Sequence, residues 1–174
     1  LVDEYIFYEP KYKIRNSTAS SNIKKGYIVI EDDLSFDNIE KNYPVLIQSE
    51  SYNPFNQSNH VKSFSDDALK QAIEHCKNNI SGKVTTFNWQ NPSVIEKWIL
   101  DNSIDELEII APTVGKYDTL IPSTLNNLDA KISYYYHDWD LLFWQHADKG
   151  FFKLKKNIKN IISPFWSNPL FGAS

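Results

Sequence analysis

From Tyr27 onward, short apolar runs alternate with longer amphipathic stretches. That is the pattern of buried parallel strands joined by covering helices. Five runs read as strands: residues 27–31, 44–48, 83–88, 107–111 and 131–136. Between the second and third, Ser65 is placed to cap a helix with Asp66 and Asp67 in its first turn, and Ala68, Leu69, Ala72, Ile73, Cys76 and Ile80 recur at helical spacing. Between the third and fourth, Asn91 and Pro92 supply an N-cap and a first helical position, and Val94, Ile95, Trp98 and Ile99 form one stripe. A weaker helix is predicted over 118–128, with Pro122 tolerable only if it falls within the first turn, where a missing N–H is not needed. After the fifth strand, Asp138 is placed to cap a segment from Trp139 onward. A further helix is expected over 153–162, ending at Pro164.

This alternation predicts an α/β fold with a five-stranded, parallel, doubly wound sheet of Rossmann-like or flavodoxin-like type, in three α/β/α layers. Residues 1–25 read differently. Pro10 interrupts an aromatic stretch, and 16–22 is a Ser/Thr/Asn/Ala segment typical of loops. We expect 1–25 to be an arm or connector, packed through Tyr5, Phe7, Tyr8 and Tyr12, and 26–174 to be the α/β domain. With 174 residues, 41% of them hydrophobic and 23% charged, the chain has the composition of an ordinary folded domain. A net charge of −4 argues against a dedicated nucleic-acid binder. The single cysteine, Cys76, leaves no internal disulfide and suggests a reducing, cytoplasmic setting. No apolar run has the length of a membrane span. Methionine is absent even at position 1, which suggests a fragment or processed product.

In an open parallel sheet, ligands collect beyond the carboxyl ends of the strands, where the strand order reverses. For the order 3-2-1-4-5, that point lies between the first and fourth strands. It brings Asp32 and Asp33 opposite Pro112, Thr113, Val114 and Gly115, and we take Asp32, Asp33, Thr113, Val114 and Gly115 as candidate cofactor-binding residues. The alternative is that Asp32 caps a following helix and Gly115 only turns the chain. No glycine-rich phosphate loop is present, and His60, His75, His137 and His146 do not fall at metal-ligand spacing. Cys76 lies on an apolar stripe and no nucleophile elbow occurs, so no catalytic residues and no metal site are expected.

Residues 134–152, YYYHDWDLLFWQHADKGFF, form the densest aromatic segment. Such a segment serves either as a helix packed on the sheet or as a surface receiving a planar ligand or partner domain. For the second role, Trp139, Trp144, His146, Lys149, Gly150, Phe151 and Phe152 are the candidate partner interface. His146 and Lys149 would share a helix face, and Gly150 would let the chain bend. Lys149, Lys153, Lys155, Lys156 and Lys159 make the same region basic, which usually means a solvated helix face.

Two stretches carry a family resemblance. IVIEDDLSFDNI, residues 28–39, resembles the opening strand and turn of the α/β domain of photolyases and cryptochromes, without the arginine that turn usually carries. WDLLFWQHADKGFFKLKKNI, residues 139–158, resembles a W-D-x-x-x-W-P-H-A-T-K-G-F-F stretch of bacterial FAD-binding photolyase-like proteins, with Gln145 in place of Pro and Asp148 in place of Thr. NPSVIEKWILDNSIDELEII looks like the third crossover of the same domain. The resemblance implies an accessory α/β domain of a flavoprotein of light-dependent DNA repair or blue-light sensing, not catalytic alone. FAD would sit in a separate helical domain, the implied partner, and DNA would be met only through the parent protein. In some relatives an antenna chromophore of folate or flavin type binds the α/β domain. The alternatives are an independent small-ligand or nucleotide-binding protein of Rossmann-like type and a partner-binding module without ligand.

Overall fold

The computed structural model describes residues 23–36, 39–55, 57–112, 115–144, 146 and 150–166, the side chains of 164–166 excepted. The described chain falls into two units, 23–135 and 136–166.

In the first unit, five strands form one all-parallel sheet: β1 (Lys25–Val29), β2 (Val45–Gln48), β3 (Val84–Phe87), β4 (Glu106–Ile110) and β5 (Lys131–Tyr135). The order is β3-β2-β1-β4-β5, so the expected doubly wound sheet and its reversal between β1 and β4 are present. Three helices cover it: α1 (Asn59–Asn79), α2 (Ser93–Asn102) and α3 (Lys116–Leu125). Alternation along the strands sends Tyr27, Val29, Val45 and Ile47 against Ala72, Cys76 and Ile80 at one face. It sends Ile28, Leu46, Leu107 and Ile109 against Ile95, Trp98 and Ile99 of α2 and Tyr117, Ile121 and Leu125 of α3 at the other. The unit is therefore a three-layer α/β/α sandwich, with α1 on one side and α2 and α3 on the other, as right-handed crossovers require when a chain winds outward in both directions. Burial pushes the Cys76 thiol up to about 11, which suits a core position and not a nucleophile.

Several boundaries differ from the sequence expectation. β1 begins at Lys25, inside the span assigned to an arm, because Lys25 and Gly26 pair with Glu106 and Leu107 of β4. The Lys25 ammonium lies 2.9 Å from the buried Glu108 carboxylate. Residues 1–22 of the expected arm lie outside the described residues. Helix α1 starts at Asn59, not after Ser65, and its cap is Ser58, whose hydroxyl accepts from the Val61 amide. Its first six residues are exposed all round, so they show no apolar period. Helix α2 begins one residue later than expected, at Ser93. Helix α3 begins at Lys116, which puts Pro122 in its interior and not in its first turn. The buried stripe Tyr117, Ile121 and Leu125 holds that helix despite a cost of about 3 kcal/mol for an interior proline.

In the second unit, α4 (Asp138–Trp144) and α5 (Phe151–Trp166) pack on each other. Helix α5 starts two residues before the predicted 153 and continues through Pro164. Gly150 caps it at φ +78°, its carbonyl accepting from the Lys153 and Leu154 amides. Among the described residues no helix is long and apolar enough to cross a membrane.

Candidate functional site

At the carboxyl end of β1 the chain leaves the sheet in a tight turn. The Asp33 amide donates to the Ile30 carbonyl (3.0 Å), and the Asp33 carboxylate accepts from the Ser35 amide (2.9 Å). This turn delivers Glu31 into the gap between β1 and the start of α3, at the reversal of strand order. The Glu31 side chain is only 7% exposed. A carboxylate this deeply buried must be compensated, and its Oε1 has three donors. The Tyr117 hydroxyl donates at 2.7 Å, the Tyr52 amide donates at 3.1 Å, and the Lys116 ammonium pairs with the same oxygen.

Gln48, fully buried at the end of β2, ties the cluster to the sheet. Its Oε1 accepts from the Glu31 amide (3.2 Å) and the Trp89 indole N–H (3.2 Å), and its Nε2 donates to the Glu50 carbonyl (2.6 Å). Gln48 Oε1 also lies 3.0 Å from the Tyr117 hydroxyl. That hydroxyl has one proton, and the nearer, charged Glu31 oxygen takes it. Burial raises the Tyr117 phenol far above its ordinary range, and the hydrogen bond to Glu31 adds to the effect, so it stays a donor. Packing of Tyr117 beside the Trp89 and Tyr52 rings, with centroids 5.9 and 6.0 Å away, fixes its direction.

The second carboxylate oxygen, Glu31 Oε2, is buried with no hydrogen-bond partner. Glu31 lines a cavity of about 230 Å³ together with Asp32, Leu34, Phe64, Ser65, Ala68 and Lys116. Helix α1 forms the opposite wall. It is held there by Asp66, which accepts from the Ser51 amide (2.9 Å) and pairs with Lys62. Burial pushes the Asp66 carboxyl up, but the bonds from Lys62 and Ser51 outweigh it and leave it below its ordinary value. The arrangement is a fixed anion beside a cavity, with one oxygen saturated and the other buried without a donor. That is a geometry for binding.

Of the predicted strand-end residues, Asp32 lines this cavity, while the Asp33 carboxylate serves the turn. Gly115 is exposed at the N-cap of α3 with φ +148° and open space around a Cβ. Thr113 and Val114 lie outside the described residues. Among the described residues no helix lies between β1 and β2 for Asp32 to cap. Glu31, Gln48, Lys116 and Tyr117 were not among the predicted site residues. The one available signal was polar: Glu31 and Gln48 each close an apolar run, where a buried polar group needs a partner.

Within the second unit, Trp139, Phe151 and Phe152 are 41%, 65% and 80% exposed. Trp144 is half-buried with its ring edge on Tyr136 (5.3 Å), and the half-buried His146 donates its amide to the Phe143 carbonyl (3.0 Å). Lys149 lies outside the described residues, and Gly150 is the cap of α5. Among the described residues no group of three or more His, Cys, Asp or Glu side chains converges as a metal site.

Comparison with known proteins adds no relative: no family model matches the chain, and no curated protein matches it.

Proposed function

We propose that this chain is a small-ligand-binding α/β domain whose site is the cavity at the β1/β4 reversal. The observation that carries this reading is Glu31, a residue that lines the cavity and whose buried carboxylate oxygen Oε2 has no donor. Leaving such a group unmade costs on the order of 1–3 kcal/mol, and more for a charge. A ligand donor at that point recovers it. The position is where open α/β sheets hold their ligands. About 230 Å³ is below the roughly 300–1,000 Å³ of pockets for drug-sized molecules, so the ligand is small.

The experiment is a thermal-unfolding panel of short polyols, amines, carboxylates, nucleotides, folates and flavins. A compound held at 100 times its Kd stabilises the folded state by about 2.7 kcal/mol, which is roughly 5–10 °C for a chain of this size. Ala68→Leu, which fills the cavity without touching a charge, is expected to abolish the shift. No stabilisation by any class, or a shift that Ala68→Leu leaves intact, refutes the reading.

A second reading follows from the exposed Trp139, Phe151 and Phe152, because exposed aromatics beside lysines are apt for docking. On it, the chain is the accessory α/β domain of a photolyase- or cryptochrome-like flavoprotein, and this segment meets the helical FAD domain. A folate or flavin antenna would need more room than the cavity bounded by the described residues offers, so this reading stands on docking. Binding of a photolyase-type helical domain, weakened by Phe151→Ala and Phe152→Ala, is its test; binding indifferent to both removes it.

A further inference from the structure

We infer that the solvent face at the start of α5 docks on an anionic lipid bilayer, with Phe151 and Phe152 entering the headgroup boundary and Lys155, Lys156 and Lys159 lying against the lipid charges. At about 100° per residue, Phe152, Lys155, Lys156 and Lys159 stand at i, i+3, i+4 and i+7 on one face of the helix, a patch about 10 Å long. Phe151 adjoins it, one turn before Lys155. The two phenylalanines are 65% and 80% exposed, and the three lysines are exposed as well. The helix uses another stripe for packing, in which Leu154 and Ile158 are half-buried and Ile161 is buried. Two large apolar rings are thus left in water beside a row of cations.

The charge on this face has one sign. No acidic residue occurs in α5, and among the described residues no ion pair engages Lys155, Lys156 or Lys159. The unit's described acids, Asp138 and Asp140, stand in the first turn of α4. Lysine, a compact charge on a flexible stem, suits a diffuse anionic surface, where each one strengthens binding about fivefold. The docking reading above gives the same aromatics a protein partner, but lysine is depleted from the centres of protein interfaces. Single-stranded nucleic acid asks for rings on which successive bases stack in parallel. The Phe151 and Phe152 rings meet edge to face, 68° apart with centroids at 5.8 Å, so they offer no such pair of platforms. A bilayer boundary asks only for apolar volume beside cations.

The test is co-sedimentation of the full chain with vesicles of an equal mixture of phosphatidylserine and phosphatidylcholine. Pure phosphatidylcholine vesicles and a fluorescent oligothymidylate are run in parallel. Binding to the anionic vesicles alone is expected at about 0.1 M salt and is lost at about 1 M, where charges are screened beyond roughly 3 Å. Replacing Lys155, Lys156 and Lys159 together by Gln should weaken it about a hundredfold. Removing as many exposed charges from α1 and α2, by Lys70→Gln, Lys77→Gln and Lys97→Gln, should weaken it far less. Phe151→Ser with Phe152→Ser keeps every charge and should weaken binding about tenfold or more through lost apolar contact. Circular dichroism checks that each variant folds. If the chain ignores anionic vesicles at low salt, if the α1 and α2 variant loses as much as the α5 variant, or if the Phe variant binds as the parent does, bilayer docking is refuted. Tighter binding to oligothymidylate than to vesicles, lost with the same lysines, overturns it in favour of a nucleic-acid face.

Discussion

Replacing Tyr117 by Phe removes one oxygen from the centre of the carboxyl-edge cluster and leaves the ring's packing in place. The lost interaction is the 2.7 Å hydrogen bond to Glu31 Oε1, between a fully buried phenol and a carboxylate 7% exposed. A hydrogen bond to a charged group contributes about 1.5–3 kcal/mol. The larger loss of about 3–5 kcal/mol for an orphaned buried charge does not apply, because Lys116 and the Tyr52 amide still hold that oxygen. Gln48 Oε1 likewise keeps the Glu31 and Trp89 N–H donors. In urea, with a slope of roughly 1–3 kcal/mol per molar, the unfolding midpoint at pH 7 should fall by about 1 M. The alkaline side gives a second readout. The Tyr117 phenol is raised in the folded state, chiefly by burial, so above pH ~10 the unfolded chain releases a proton that the folded chain keeps. Stability conferred by the protonated phenol is complete below that pH and falls as pH rises, by up to about 1.4 kcal/mol per pH unit for this group. The Phe variant should therefore show a shallower alkaline decline. A midpoint unchanged within error, together with an alkaline slope equal to that of the parent, would refute the placement of this hydroxyl against Glu31.

Two further outcomes follow from the same structure. Burial pushes the Glu106 carboxyl up, but hydrogen bonds from Ser133 and Lys131 (the latter 2.9 Å) outweigh it and hold the group below its ordinary value of 4.5. Its stabilising effect is therefore full above that pH and lost as pH falls through the depressed value. Glu106→Gln should flatten the acid arm of the stability profile below about pH 5, and an unaltered arm in acid-titrated unfolding would contradict the pairing. Gly82→Ala would place a Cβ 2.0 Å from the Tyr43 carbonyl oxygen, a backbone atom that cannot swing aside. A loss of about 1–3 kcal/mol or more is expected in thermal unfolding, and a neutral effect would show that the β1–β2 connection does not pass there.

The sheet was legible because its inner strands are buried on both faces, so β2 opens on the apolar run Val45, Leu46 and Ile47, and β4, with Glu106 and Glu108 hidden, still shows Leu107, Ile109 and Ile110. The strand order was assumed, because crossover handedness limits the topology without fixing which strands are neighbours, and the sheet has the assumed order. Helix starts were less legible for a specific reason. The first turns of α1 expose Val61 and Phe64, by 50% and 76%, and an exposed turn leaves no period to read. Pro122 misled in the opposite direction, since the stripe Tyr117, Ile121 and Leu125 outweighs the local cost of the ring. Asp32, expected at the strand-end loop from its position alone, lies on the cavity wall. The Glu31 cluster was not expected, because its members come from residues 31, 48, 52, 89, 116 and 117 and meet only once the sheet has formed.

The claim that matters most is that a ligand in the cavity engages the Glu31 carboxylate. It is tested by the ¹³C resonance of the Glu31 carboxyl, assigned by its disappearance in Glu31→Gln and recorded with and without the compound that most stabilises the chain in the thermal panel. This resonance is expected to move saturably, with the midpoint of the thermal titration, while the Glu106 carboxyl stays in place. A stationary Glu31 carboxyl under a saturating ligand would contradict it, because the ligand would then be bound elsewhere.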